Sequence, residues 1–253
     1  MDDKALRALG ERLAYLRNLQ ARREEVTRSI DAQGKLTDEH ATAVENAVTL
    51  AELGDVYRPY KQKRRTRATV ARERGLEPLA ILLFAQGSDL PDIYELAAQY
   101  INPEKEVNTA EDALAGAYDI IAELISDSAD IRKKLRGLIA KNGSLVSAAA
   151  KEDDSVYQLY YDFTQPISKL QGHQILAINR GEKEEFLKVS VVIDRTQSLN
   201  VIKRMELKPG SKAEAFVTAA IEDGYDRLLF PSLEREIRRA LERMPSGGLL
   251  RAR

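Results

Sequence analysis

The sequence predicts a mainly α-helical protein, a multi-helix bundle or helical array with one small β-strand or hairpin element near 184–193. Three observations carry that expectation. Ala, Leu, Glu, Lys and Arg dominate the 253 residues, and these are strong helix formers. Gly (14) and Pro (8) are sparse, so long stretches run without a breaker. Apolar residues recur at spacings of three and four through most of the chain, the spacing that places them on one helix face.

Leu6, Leu9, Leu13 and Leu16 begin an amphipathic helix that continues through Val26 and Ile30 and stops at Gly34. Thr37, followed by Asp38 and Glu39, caps a second helix, with Val44, Val48 and Ala51 as its apolar stripe. Pro59 biases the residue before it away from helix, so 57–67 reads as an ordered loop. Thr66 or Thr69 caps the next helix, which Gly75 ends. Glu77 and Pro78 open another, and 91–101 is a short further one. Asn108 with Glu111 resembles a capping box ahead of a long helix through Leu114, Tyr118 and Ile125. A helix over 131–141 closes at Asn142-Gly143.

Beyond Gly143 the pattern changes. The Tyr-rich 155–163 fits helix or strand. Pro166 is expected to start a helix to about Arg180, with Gly181 as its left-handed terminator. Residues 186–193 are β-branched with partial alternation. A helical run over 212–230 is interrupted by Pro231, where Ser232 caps a last helix. The change at 143 suggests two lobes, 1–143 and 144–253, with one continuous domain as the alternative.

Charge is informative only locally. Lys+Arg is 39 against 40 Asp+Glu, so the overall balance points to no polyanionic partner. Between Arg58 and Arg74, however, eight basic residues face a single acid, Glu73. This local net charge of +7 leaves −8 for the remainder of the chain. Arg58, Lys61, Lys63, Arg64, Arg65 and Arg67 are candidate phosphate contacts, because releasing condensed counterions drives such binding. Tyr57 and Tyr60 flank them and could stack on unpaired bases. The competing reading is structural: arginines staple helices together, acids such as Glu52 and Asp55 neutralise the run, and the tyrosines pack in an ordered turn.

Catalytic and metal chemistry find little support. The chain has no Cys, which removes disulfides and thiolate metal sites. His40 and His173 do not form a zinc pattern. The acidic groups Asp153-Asp154 and Glu182, Glu184 and Glu185 read as solvated charge. Asn179-Arg180-Gly181-Glu182 reads as a helix end. No phosphate-binding glycine loop, dinucleotide fingerprint or nucleophile elbow occurs. The expectation is a non-enzyme with no cofactor and no metal. With no apolar signal segment or membrane-length stretch, a cytoplasmic location is expected.

The segment LAELGDVYRPYKQKRRTRATVARERGLEPLA (50–80) resembles the Tex transcription accessory family. So do RLAYLRNLQARREEVTRSIDAQGKLT (12–37), HQILAINRGEKEEFLKVSVVID (173–194) and YDRLLFPSLEREIR (225–238), in family order. The resemblance implies the family's N-terminal and central helical region, without its RNase H-like, helix-hairpin-helix and C-terminal OB-fold RNA-binding domains. After about Arg239 the sequence departs from the family pattern, as expected of a truncated fragment. The resemblance implies a non-catalytic transcription accessory module, and the basic loop read from the charge pattern adds the expectation that it binds RNA or DNA without sequence preference through that loop. The alternative is a helical scaffold that positions other domains or contacts the transcription machinery. Apolar surface left uncovered would favour self-association.

Overall fold

The computed structural model describes residues 3–61, 65–151 and 155–243. It is mainly helical with one small antiparallel sheet, and it divides into two compact units: 1–64 with 127–129, and 65–126 with 130–253. The residues on either side of 143 thus share the second unit and its core, a different partition from the two lobes suggested by the change in sequence pattern.

In the first unit, α1 (Asp3–Asp31) packs with α2 (Asp38–Asn46) and α3 (Leu50–Tyr57). Gly34 adopts a positive φ of 65° in the turn after α1, where glycine has no Cβ penalty. Thr37 caps α2 by accepting from the His40 N–H. Val44, Val48 and Ala51 do not lie on one helix. Thr49 starts α3 by accepting from the Glu52 N–H at 3.1 Å, while the Glu52 carboxylate accepts from Val48 N at 2.8 Å. This reciprocal cap satisfies donors that a continuous helix would have satisfied internally. It leaves Val48 exposed, and the core here is Leu19, Val26, Ile30, Val44, Ala47 and Leu53.

The second unit begins with α4 (Arg67–Glu73), α5 (Glu77–Ala85) and α6 (Ile93–Ala98), and holds α7 (Ala110–Asp127) and α8 (Ala129–Asn142) except for their junction, 127–129, which belongs to the first. Thr66 caps α4 and Gly75 follows its end with φ 80°. The cap of α7 lies one residue beyond the expected Asn108: Asp112 N donates to Thr109 Oγ1 at 3.1 Å, and the Asp112 carboxylate accepts from Asn108 N and Thr109 N.

After Gly143 come β1 (Ser144–Ala149), β2 (Asp162–Pro166), α9 (Gly172–Lys183) and β3 (Leu187–Val192). The sheet order is β2-β1-β3, both pairs antiparallel, with Leu145 opposite Gln165 on one side and Val191 on the other. The expected strand near 184–193 is therefore an edge strand. Pro166 closes β2 instead of opening a helix, an edge position where a missing N–H costs no ladder bond. Gly181 lies inside α9, not at a left-handed cap. A Cβ there would come within 2.6 Å of Leu187 Cδ1, so the glycine allows helix and strand to approach. Glu185 takes the positive φ, 62°. The chain then forms α10 (Arg195–Glu206), capped by Asp194, and α11 (Glu214–Asp223). A π-helical turn over Gly224–Leu229 continues into α12 (Phe230–Glu242). Pro231 thus does not break the helix. The preceding turn has widened, with Phe230 N bonded to Tyr225 O, and proline's missing donor falls in the first turn of α12, where it is tolerated. Glu234 of α12 accepts from Val191 N at 2.9 Å, which covers part of the outer edge of β3.

Candidate nucleic-acid interface

The basic segment is divided between the two units. Tyr57, Arg58, Tyr60 and Lys61 belong to the first unit, and Arg65 and Arg67 to the second. Lys63 and Arg64 lie outside the described residues.

In the first unit, α3 passes directly into a 3₁₀ turn, Arg58–Tyr60, with Pro59 in its first positions. This turn begins the stretch expected as an ordered loop, and both tyrosines point inward. Tyr57 Oη is 2.9 Å from Ser29 Oγ, and the Arg22 guanidinium lies 5.4 Å from its ring centroid. Tyr60 Oη is 2.5 Å from His40 Nε2, and the two rings meet edge to face at 5.2 Å. Burial raises the Tyr60 pKa above that of a free phenol. Both rings pack against the core of this unit. Arg58 Nε donates to Asp127 Oδ1 at 2.9 Å. Lys61 is exposed.

In the second unit, the Thr66 cap does double duty. Its hydroxyl accepts from Thr69 N and donates to Glu123 Oε2, each at 3.0 Å. Glu123 stands on α7 and is only 8% exposed. It also receives Arg72 Nη1 at 2.7 Å, while Arg72 Nε reaches Glu77 at 3.1 Å. Burial works against the Arg72 charge, but the hydrogen bonds and charges of Glu123 and Glu77 outweigh it and raise the Arg72 pKa. Arg74 pairs with Glu106 at 2.7 Å and Arg65 with Glu73 at 2.9 Å, both near solvent.

Among the described residues no ion pair is found for Lys61 or Arg67. Arg67 is exposed and borders a cleft of about 430 Å³ lined by Tyr94, Tyr118 and Phe216 together with Glu111, Asp119 and Asp223. The Asp119 carboxyl is pushed above the usual carboxylate range by burial, an effect opposed by Arg227 and Arg67. Three acids beside Arg67 make this cleft unsuited to phosphate. Sequence reasoning weighed Glu52 and Asp55 as neutralising acids. It missed Glu106, Glu123 and Asp127, for which adjacency gives no signal. Among the described residues no cluster of His, Asp or Glu could hold a metal ion, and no helix is long and apolar enough to cross a membrane.

Residues 91–246 match the family model described as Tex central region-like. That match continues past Arg239, where the sequence was expected to leave the family pattern. YdcI of Bacillus subtilis is 44% identical over 249 residues, covering 95% of this chain and 34% of that protein. Protein tex of Bordetella pertussis is 44% identical over 197 residues, 77% of this chain and 25% of its own length. Transcriptional accessory protein Tex of Neisseria gonorrhoeae is 36% identical over 195 residues, 76% of this chain and 25% of its own. The chain thus spans about a quarter to a third of the length of these relatives. With a family match covering more than half of it, the chain belongs to the Tex family.

Proposed function

We propose that this chain is a non-catalytic module of a transcription accessory protein, and that it acts as a helical platform on which the basic segment is largely a structural lock. One observation carries this reading: Arg58, Arg65, Arg72 and Arg74 each reach a carboxylate within 3.1 Å. Where those carboxylates are withdrawn from water, as at Glu123 and Asp127, removing the arginine takes a counter-charge from a desolvated group. The tyrosines flanking the segment are likewise engaged through both hydroxyl and ring. The name of the Neisseria gonorrhoeae relative supports the transcriptional setting.

A second reading gives the segment a direct, sequence-independent contact with RNA or DNA. It is favoured by the density of charge and by Lys61 and Arg67, which have no ion pair among the described residues. Here Lys61, Lys63, Arg64 and Arg67 carry the contact, with Arg58 and Arg65 reaching phosphate only by leaving their carboxylates, and Tyr57 and Tyr60 acting as supports.

Fluorescence anisotropy separates the two. Labelled single-stranded RNA and duplex DNA are titrated with the chain at low and near-physiological salt, beside a folded Lys61→Ala/Arg67→Ala variant. Salt-sensitive binding that the substitutions weaken establishes the second reading. No binding at low salt leaves the platform alone.

A further inference from the structure

Leu6, Leu9, Leu13 and Leu16 form one stripe on α1, and they are 48, 60, 48 and 45% exposed. From Leu19 onward the helix is held by the core of its unit, with Leu19 itself 3% exposed. Tyr15 also packs against that core, and its hydroxyl accepts from Leu50 N at 3.2 Å, whereas residues 5–14 are exposed on every face. A helix of this length without tertiary contacts is marginal in water, and an open leucine stripe adds the cost of hydrated apolar surface.

The spacing of three, four and three residues places the leucines at the a and d positions of heptads, the seam of a helix pair. Arg12 then falls at g and Arg17 at e, on opposite borders of the seam. The other border positions near them, Ala5 and Gly10, are uncharged. Charges at e and g select the partner. In a parallel pair of identical helices, Arg12 would face the second copy's Arg17. In an antiparallel pair, Arg12 would face the second copy's Arg12. Both arrangements set like charges against each other at the rim, while glutamates at the facing positions would pair with them.

We propose that the first half of α1 docks an acidic amphipathic helix of a partner protein, with leucine-like residues in the seam and Glu or Asp along its borders. The apolar stripe supplies affinity and the two arginines supply the choice of partner.

The test uses a fluorescein-labelled three-heptad peptide with Leu at a and d and Glu at e and g, titrated with the whole chain by anisotropy. The control peptide carries Lys at e and g. Binding of the Glu peptide in the micromolar range, with little binding of the Lys peptide, is expected. Leu9→Glu/Leu13→Glu should weaken it by roughly tenfold or more, since two seam residues are lost. Both leucines are exposed, so circular dichroism should report an intact fold. Arg12→Glu/Arg17→Glu should reverse the preference toward the Lys peptide, which a merely sticky surface would not do. Equal binding of both peptides, or no binding of the Glu peptide, overturns the proposal. Self-association in sedimentation velocity that disappears with Leu9→Glu/Leu13→Glu would instead assign the stripe to a second copy. Partition into phosphatidylglycerol vesicles lost with the same variant would assign it to lipid. Either result refutes the acidic-helix assignment.

Discussion

Replacing Arg72 with alanine removes the guanidinium that holds Glu123, and the cost can be bounded from the geometry. Exposed ion pairs contribute about 0–1 kcal/mol, whereas breaking a buried pair costs about 3–5 kcal/mol because the remaining charge stays desolvated. The Arg72 and Glu123 side chains are 29% and 10% exposed, between those limits, and Thr66 continues to donate to Glu123. A loss of about 2–3 kcal/mol follows. At roughly 2–4 °C per kcal/mol for a chain of this size, Tm should fall by about 5–10 °C. Urea unfolding followed by circular dichroism measures it, and a double-mutant cycle with Glu123→Gln isolates the coupling between the two side chains. Arg65→Ala is the internal control. Its pair with Glu73 is 71% and 54% exposed, so its effect should stay within about 1 kcal/mol. If Arg72→Ala unfolds within about 0.5 kcal/mol of the parent, the range of an unremarkable surface substitution, the arginine is not a structural lock and the platform reading loses its main support.

Three further perturbations test the packing and the electrostatics. Gly224→Ala would place a Cβ 2.8 Å from Ala122 O and 3.1 Å from Ala122 Cα; a helix backbone yields little, so a net loss of about 1–3 kcal/mol is expected. Gly137→Ala on α8 meets open space and should instead stabilise by up to about 1 kcal/mol through helix propensity. Glu206→Gln should raise stability near neutral pH, because burial first, and repulsion from Asp130 second, raise the Glu206 pKa. The sign follows from proton linkage: with the folded pKa above the unfolded one, the folded state holds more protons between them, and stability falls as pH rises through that window. The gain of the Gln variant should therefore shrink as pH drops toward the unfolded pKa of glutamate, and thermal melts across an acidic pH series would show it.

Helices were legible where local chemistry decides them. Thr37 and Thr66 cap where side-chain oxygens meet orphan donors, and Gly75 ends a helix with a positive φ. The sheet was only one-third legible. Leu187–Val192 carries β-branched residues, but Ser144–Ala149 is Ala- and Ser-rich, and pairing on both sides, not its propensity, makes it a strand. The helix Arg195–Glu206 has a polar sequence and was not foreseen, although Asp194 caps it. Gly181 was legible as a special position but not for its reason, since the close approach of Leu187 is a tertiary fact.

The +7 count was also a property of sequence neighbours, and its physical meaning depends on distant ones. Asp127, Glu123 and Glu106 stand 69, 51 and 32 positions from the arginines they meet. The difference is measurable in the salt dependence of any nucleic-acid binding. Each phosphate neutralised on duplex DNA contributes about −0.9 to the slope of log K against log salt. Eight free cations would set a limit near −7. If Arg58, Arg65, Arg72 and Arg74 keep their carboxylates, at most Lys61, Lys63, Arg64 and Arg67 remain, and the limit falls to about −3.6. A slope at or below that magnitude is expected. A slope near −7 would mean that the ion pairs open on binding, which Arg72→Ala would then reveal as weaker binding as well as a lower Tm.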